Sequence, residues 1–332
     1  MKIVRALLAS ALARRSVFLV GVAAAAPLTA CGGAKDSVGL AHGPNDVTDA
    51  QIDADPLALL PSAALVVTNL DARAYFASPT LGPQIAQITE KLMPIGEEAG
   101  FSASRDVDRV VAGAYSTQGA DVAAVISGRF DAKKIAAAAD GHVATKGGGL
   151  LVRSEYAGRA VFTVNNVGFT ILTPKTALAG TETGIRRALD RIKDGRVKRD
   201  LPQWVQDTLQ TPGAVTALAA DFASQPVTAA TMGAFPLPWL QGMRTARILG
   251  NFAEPGMHVA GTLSYDDEAQ ALAGADGLRQ AGSLANLVAI TGLAPQIQGL
   301  DVALKGKEVE YKFAVDDRSL RGLLAAVPSF VH

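Results

Sequence analysis

The chain has 332 residues, 31 basic against 31 acidic side chains, one cysteine and an aromatic content of 5%. No surplus of base marks a nucleic-acid binder, and rings are too few for a platform that stacks sugars or bases. A lone Cys31 rules out an intrachain disulfide, so Ala, Val, Leu and Ile must hold the core by packing. Residues 1–30 open with a basic stretch carrying Lys2, Arg5, Arg14 and Arg15 and no acid. Ser16 to Ala26 is apolar and alanine-rich, and Pro27 breaks it. Such a run is short for a hydrocarbon core of roughly 30 Å, which takes about 20 apolar residues. A short apolar run behind a basic start and before small residues is the secretory pattern. Without 1–30, 302 residues remain, and the loss of four bases leaves 27 Lys+Arg against 31 Asp+Glu, a mature net charge of −4.

Leu28-Thr29-Ala30-Cys31 resembles the lipobox of bacterial lipoproteins. The resemblance implies cleavage before Cys31 and lipidation of its thiol, whose thiolate is the nucleophile. Two or three acyl chains, at about 0.8 kcal/mol per buried methylene, hold a protein on a membrane where one chain would not. Membrane contact through that anchor is the expected partnership. Gly32, rather than Asp, follows the cysteine, which by the same resemblance implies an envelope protein on the outer membrane, facing the periplasm. Arg14-Arg15 before Ser16, Val17, Phe18 and Leu19 loosely resembles a twin-arginine signal with Phe18 one place late, so either export route stays open.

Residues 31–55 are rich in Gly, Asp and Asn and lack an apolar period, which reads as a flexible tether reaching a few tens of Å. Asp46, Asp49, Asp53 and Asp55 do not have calcium-loop spacing, and Pro56 follows them. The folded region is expected from residue 56. Val66, Val67 and Thr68 mark a strand over 64–70, and Ile85, Ile88, Leu92 and Ile95 recur at helical spacing before and after Pro94. Strands at 109–115 and 122–130 form a hairpin, and Asp131 caps a helix through Ala139. A meander over 150–172 turns at Gly158 and at Asn165-Asn166, and Thr181 caps a helix that buries Ile185, Leu189 and Ile192 and ends at Gly195.

The pattern then restarts. A strand over 214–222 carries Asp221 much as the first leads to Asp71. A Pro-interrupted stretch through Phe235 and Trp239 precedes a hairpin at 247–252 and 259–265 and a helix from Asp267. The next hairpin turns at Gly306, with Val309, Tyr311, Phe313 and Val315 on one face and Glu310 and Lys312 on the other, and Asp316 or Asp317 caps a last helix. An ungapped offset of 137 lays Gly113 on Gly250, Tyr115 on Phe252, Val122 on Val259, Ile126 on Leu263 and Ser127 on Ser264. The expected fold is therefore α+β, a tandem duplication of antiparallel hairpins with helices packed on one face, the first repeat at 56–195 and the second at 196–332 packed on it.

Leu60-Pro61-Ser62-Ala63, Ser78-Pro79, Asp106-Val107-Asp108-Arg109-Val110 and Gly128-Arg129-Phe130-Asp131 resemble a family of uncharacterised exported bacterial proteins, over residues 58–140. The resemblance implies no activity and carries no functional residue across. His42, His142, His258 and His332 have no metal-site spacing. There is no Gly-x-Ser-x-Gly elbow, and Gly147-Gly148-Gly149 runs into Leu150-Leu151 instead of Lys-Ser. The sequence thus nominates no catalytic residue, cofactor or metal, and one site residue, Cys31. Arg186, Arg187, Arg191, Lys193, Arg196, Lys198 and Arg199 read as a solvated helix face or as a contact for anionic headgroups. Phe235 to Leu240 reads as core or as an exposed flap. The expected function is non-catalytic, that of a structural or adaptor lipoprotein with an envelope partner. The alternative is a carrier of an apolar ligand such as lipid.

Overall fold

The computed structural model describes residues 47–79, 81–92, 95–116, 121–140, 149–164, 167–227, 238–254, 256–289 and 296–326. Segment 1–30, Cys31, His42, His142, His332, Gly147, Gly148 and Phe235 to Leu237 lie outside the described residues. In chain order, α1 (Asp49–Ala54) and α2 (Pro56–Leu59) precede β1 (Val66–Leu70), and α3 (Ala72–Ala77), α4 (Gly82–Leu92) and α5 (Ala103–Asp106) follow it. The hairpin β2 (Val107–Ala114) and β3 (Val122–Gly128) leads through α6 (Ala132–Asp140) to β4 (Val152–Tyr156), β5 (Arg159–Val164), β6 (Val167–Ile171) and β7 (Thr176–Thr181). Next come α7 (Glu182–Lys193), α8 (Gln203–Leu209), β8 (Thr216–Asp221), β9 (Met243–Ala253) and β10 (Gly256–Tyr265). The chain continues through α9 (Glu268–Ala289), β11 (Ile297–Lys305), β12 (Glu308–Asp316) and α10 (Asp317–Ala326).

Among the described residues, twelve strands form one sheet in the order β11-β12-β10-β9-β8-β1-β2-β3-β7-β6-β5-β4. Every neighbouring pair is antiparallel. Outward from the central β1–β8 pair, one side runs β1, β2, β3, β7, β6 and the other β8, β9, β10, β12, β11. Each side thus makes a hairpin, sends a helix (α6 or α9) across, and returns with a hairpin whose second strand pairs first. The first side adds β5 and β4.

Helices cover both faces, against the expectation of one. Consecutive strand residues enter opposite cores, as the two-residue period of a strand requires. Val125, Val161 and Leu178 pack with Ile185, Leu189 and Ile192 of α7 and Val205 and Leu209 of α8. Their neighbours Ile126, Phe162 and Ala177 join Ala72, Phe76, Phe101 and Ile135 under α3, α5 and α6. On this second face of the other side, Ala246, Leu263, Val309 and Tyr311 lie under Ala271 and Ala275 of α9. Each wholly buried Leu, Ile or Val contributes about 1.5–3 kcal/mol, which is how the core does without disulfides.

The offset of 137 holds on the third strand of each side and slips by one on the second. Gly113 pairs with Ala123, whereas Gly250 pairs with Val259 and not with Ala260. A one-residue slip turns a side chain to the other face. Tyr115 therefore sits under the Arg187 guanidinium at 4.3 Å, on the α7 face, and its hydroxyl donates to the Pro61 carbonyl at 3.2 Å. Phe252 meets Tyr75 of α3 edge-on at 5.0 Å, on the opposite face. The two rings are not equivalent.

The segment expected to be a tether through residue 55 is folded from residue 47. Thr48 and Gln51 form a capping box that starts α1, and Ile52 is wholly buried. Asp53 Oδ1 accepts hydrogen bonds from the hydroxyls of Thr173 (2.5 Å) and Thr176 (2.7 Å) at the start of β7. Asp55 caps α2 through the Leu57 amide and pairs with Arg199 at 2.6 Å. The acids that look like solvated linker are a cap and a clamp. Replacing Asp53 with Ala strands two buried hydroxyls, so Asp53→Ala should lower the unfolding free energy by about 2 kcal/mol in chemical denaturation. An unchanged midpoint would mean that α1 does not hold the sheet.

Candidate functional site

On β9, β10, β12 and β11 the face covered elsewhere by α7 and α8 is open. Two cross-strand rows form its floor: Arg247, Thr262, Glu310 and Ala303, then Leu249, Ala260, Lys312 and Asp301. Of these, Arg247, Ala260, Lys312, Asp301 and Ala303 are exposed. The pattern comes from β12, where Val309, Tyr311, Phe313 and Val315 point to the α9 side and Glu310 and Lys312 to solvent. Asp207, Thr208 and Thr211 at the end of α8 form one wall of a groove of about 550 Å³. A second groove of about 670 Å³ adjoins it, sharing Thr211, Leu249, Ala260 and Lys312 and adding Pro212, Val259, Phe313 and Ala314, a more apolar lining.

The charges on this floor largely neutralise one another. Lys312 pairs with Asp301 at 3.2 Å and Lys305 with Glu310 at 2.6 Å. The Arg247 guanidinium lies 5.2 Å from the Trp204 ring centroid. Exposed cross-strand pairs of this kind are worth about 0.2–1 kcal/mol. The groove thus offers a polar, mixed-charge shelf beside an apolar trough, suited to binding by shape and hydrogen bonds. No nucleophile with an adjacent base lines it among the described residues. Thr208 is buried, and its hydroxyl donates to the Trp204 carbonyl at 2.7 Å.

The titratable groups with the most displaced pKa values serve packing. Burial pushes Tyr265 and Tyr311 up to about 12 and raises Tyr115 as well, so these phenols stay neutral. Burial would also raise Asp106, but it is held below the ordinary carboxylate range by hydrogen bonds from Arg105 and the Ser102 amide and by the charges of Arg105 and Arg129. Arg105 grips it at 2.7 Å and 3.0 Å, and the amide donates at 2.9 Å. Arg191, 5% exposed, donates to Ser62 Oγ at 2.9 Å and to the Lys198 carbonyl at 2.8 Å. It ties the entry to β1, α7 and the following linker together.

Cys31, the one site residue legible in the sequence, lies outside the described residues. His258 contacts the Glu254 carbonyl at 2.9 Å, and among the described residues no group of three or more His, Cys, Asp or Glu could hold a metal. The basic cluster is mostly engaged: Arg186 with Glu182, Arg187 with Asp121, Arg196 with Asp194 and Arg199 with Asp55. Pro238–Leu240 forms a 3-10 turn whose Trp239 and Leu240 pack on the α9 core, with the Trp239 carbonyl accepting from Tyr265 at 2.5 Å. That part of the stretch is core and not flap. Sequence reasoning named Asp53, Asp106 and Arg191 without their roles in the fold, and passed over the Arg247 side chain. The polar side of β12 was the one visible signal for the open face.

No family model matches the chain, and no curated protein matches it. Among solved structures it is similar to crystal forms III and IV of TP0453, each at TM-score 0.51 and 10% identity, covering 82% of this chain and 98% and 96% of those chains. At that identity the likeness concerns the fold alone. Among the described residues no helix is long and apolar enough to cross a membrane.

The lowered pKa of Asp106 sets a pH dependence. Its contribution is fully present above about pH 4, the unfolded value, and is lost as pH falls through the lower folded value. Asp106→Asn should therefore cost stability at pH 7 and progressively less below pH 4, read from denaturant midpoints of both proteins. A cost that is the same at pH 7 and pH 3 would contradict an ionised Asp106.

Proposed function

We infer that the protein is a membrane-anchored lipoprotein of the bacterial envelope with a non-catalytic, structural or adaptor role. The observation that carries this is Leu28-Thr29-Ala30-Cys31, placed directly after a basic start and a short apolar run. Gly32 after the cysteine supports the outer membrane, facing the periplasm. The open polar face of β9–β12 supports an adaptor, because a broad shelf of neutralised charges and hydroxyls suits a protein surface better than a buried small molecule. The lipid is the membrane partner, and an envelope protein is the partner expected on the shelf. The same strand order on both sides of β1–β8, with α6 and α9 at corresponding crossings, favours descent from a duplicated unit.

A second reading, a carrier for an apolar ligand, is favoured by the trough along Pro212, Leu249, Ala260 and Ala314. Two measurements test these. A fatty-acid analogue fed to cells should label the protein, and Cys31→Ser should abolish the label and move the chain from membrane to soluble fractions. Persisting label in the variant would remove the anchor from the reading. Native mass spectrometry of the purified protein should give the bare lipoprotein mass for the adaptor. A stoichiometric extra acyl species would establish the carrier instead.

A further inference from the structure

The two ends of the sheet are treated differently. At β11 the edge is closed by its own chain. Arg279 of α9 donates to the Val302 carbonyl at 3.0 Å, and Asn286 both donates to the Ile297 carbonyl (2.9 Å) and accepts from its amide (2.7 Å). Gly299, at φ +59°, lies within a register break between Gln298 and Asp301 that bends the strand. Side-chain cover and a bulge are ordinary protection for an edge.

At β4 neither device is present among the described residues. The β4–β5 hairpin closes through Ala157 and Gly158, both at positive φ (50° and 73°), so Tyr156 and Arg159 form the first hydrogen-bonded pair. Alternation then makes Ser154↔Val161 hydrogen-bonded and turns the amides and carbonyls of Arg153 and Glu155 outward. Leu150 and Val152 are 58% and 57% exposed. A cleft of about 740 Å³ runs along this strand.

We propose that β4 is a self-pairing edge, on which a second copy of this chain adds its own β4 antiparallel about a two-fold axis at Ser154. The occupant follows from the order of the charges. In that register Arg153 faces Glu155 of the other copy, twice by symmetry, as a hydrogen-bonded pair built from the outward backbone groups. Glu155 has no partner within its own chain among the described residues, and Arg153 holds Asp140 only through an exposed contact at 3.2 Å. On the other face Val152 meets Tyr156 of the second copy. Leu150 falls over Gly158, where a side chain would have open space. Shifting the register by one residue breaks both charge pairs and sets Arg153 against uncharged Ser154. The pairing would join two sheets edge to edge and remove their two open edges at once. It does not depend on the lipid anchor.

The test uses the full chain with Cys31→Ser, so that an added cysteine is the only one. Ser154 would face itself as a non-hydrogen-bonded pair at about 4.5 Å between Cα atoms, a spacing a disulfide spans. Ser154→Cys should give a covalent dimer under mild oxidation, and Val152→Cys on the same face, displaced from its copy along the strand, should not. Glu155→Lys should weaken the dimer about tenfold in sedimentation experiments, and adding Arg153→Glu to it should restore association. Equal cross-linking at 152 and 154, none at 154, or no loss on charge reversal would overturn the proposal. Open-ended oligomers would also overturn it, because they require β4 to pair with the unlike edge.

Discussion

The fold depends on a short antiparallel contact at the middle of the sheet, where β1 meets β8 over five residue pairs, from Val66↔Ala220 to Leu70↔Thr216. Val67 lies between Gly113 on one side and Ala219 on the other, so the seam is made of small neighbours around one branched residue. That leaves room for Val205 and Leu209 of α8 and Leu59 and Leu60 of the entry segment to press on it from one face. Side chains stitch the same place: Asn69 Nδ2 donates to the Leu209 carbonyl at 2.7 Å and Thr68 Oγ1 to the Ala217 carbonyl at 3.2 Å. On the other face the Tyr75 and Thr216 hydroxyls bond directly. Without this seam the two series of strands would share no backbone hydrogen bonds, and the core under α7 and α8 would be cut in two.

The two sides use their faces differently, and this separates stability from surface. The β2, β3, β7, β6 side is clad on both faces and holds two of the molecule's packed cores. The β9, β10, β12, β11 side is clad on one face, by α9 with α10 against β10 and β12, and its other face is largely a shelf of paired charges and hydroxyls. Such a face costs little to leave in water, because Lys312 and Glu310 each have a counter-charge one strand away and Arg247 lies over the Trp204 ring. It also retains no strong anchor of its own, so whatever rests there must supply complementary shape.

Much of this architecture was legible where a strand has one wet face. On β12 the alternation of Val309, Tyr311, Phe313 and Val315 with Glu310 and Lys312 reports both the strand and its open side. Strands buried twice do not alternate. Val122 to Ile126 reads as an unbroken apolar run, and that run was the sign of helices on both faces. Thr176–Thr181 escaped notice because Ala, Leu and Gly in a stretch ending at a capping Thr look like the approach to α7. Gln203–Leu209 and Asp49–Ala54 are too short to display a period, and the latter buries only Ile52. The offset of 137 came close because glycines and small residues fill both hairpins. A linear match cannot see that one hairpin pairs one residue out of step. Arg191 finds Ser62 across 129 positions of chain, and Asp106, gripped locally by Arg105 and Ser102, is buried by residues from elsewhere, neither of which composition can disclose.

The central seam also sets the order in which the chain can fold. Thr68 and Ala217 are 149 positions apart, and the strands they stitch are the innermost two. Closing a loop of that length costs chain entropy before any contact rewards it, and sheets built on such distant pairings form slowly. A chain synthesised from its N-terminus delivers β1, β2 and β3 long before β8. Until β8 arrives, β1 presents an unpaired edge and half of the α7–α8 core stays open, the conditions under which exposed strands aggregate. The nascent molecule therefore has a vulnerable interval whose length is set by the residues between β1 and β8, and factors that hold unfolded chains would act during that interval.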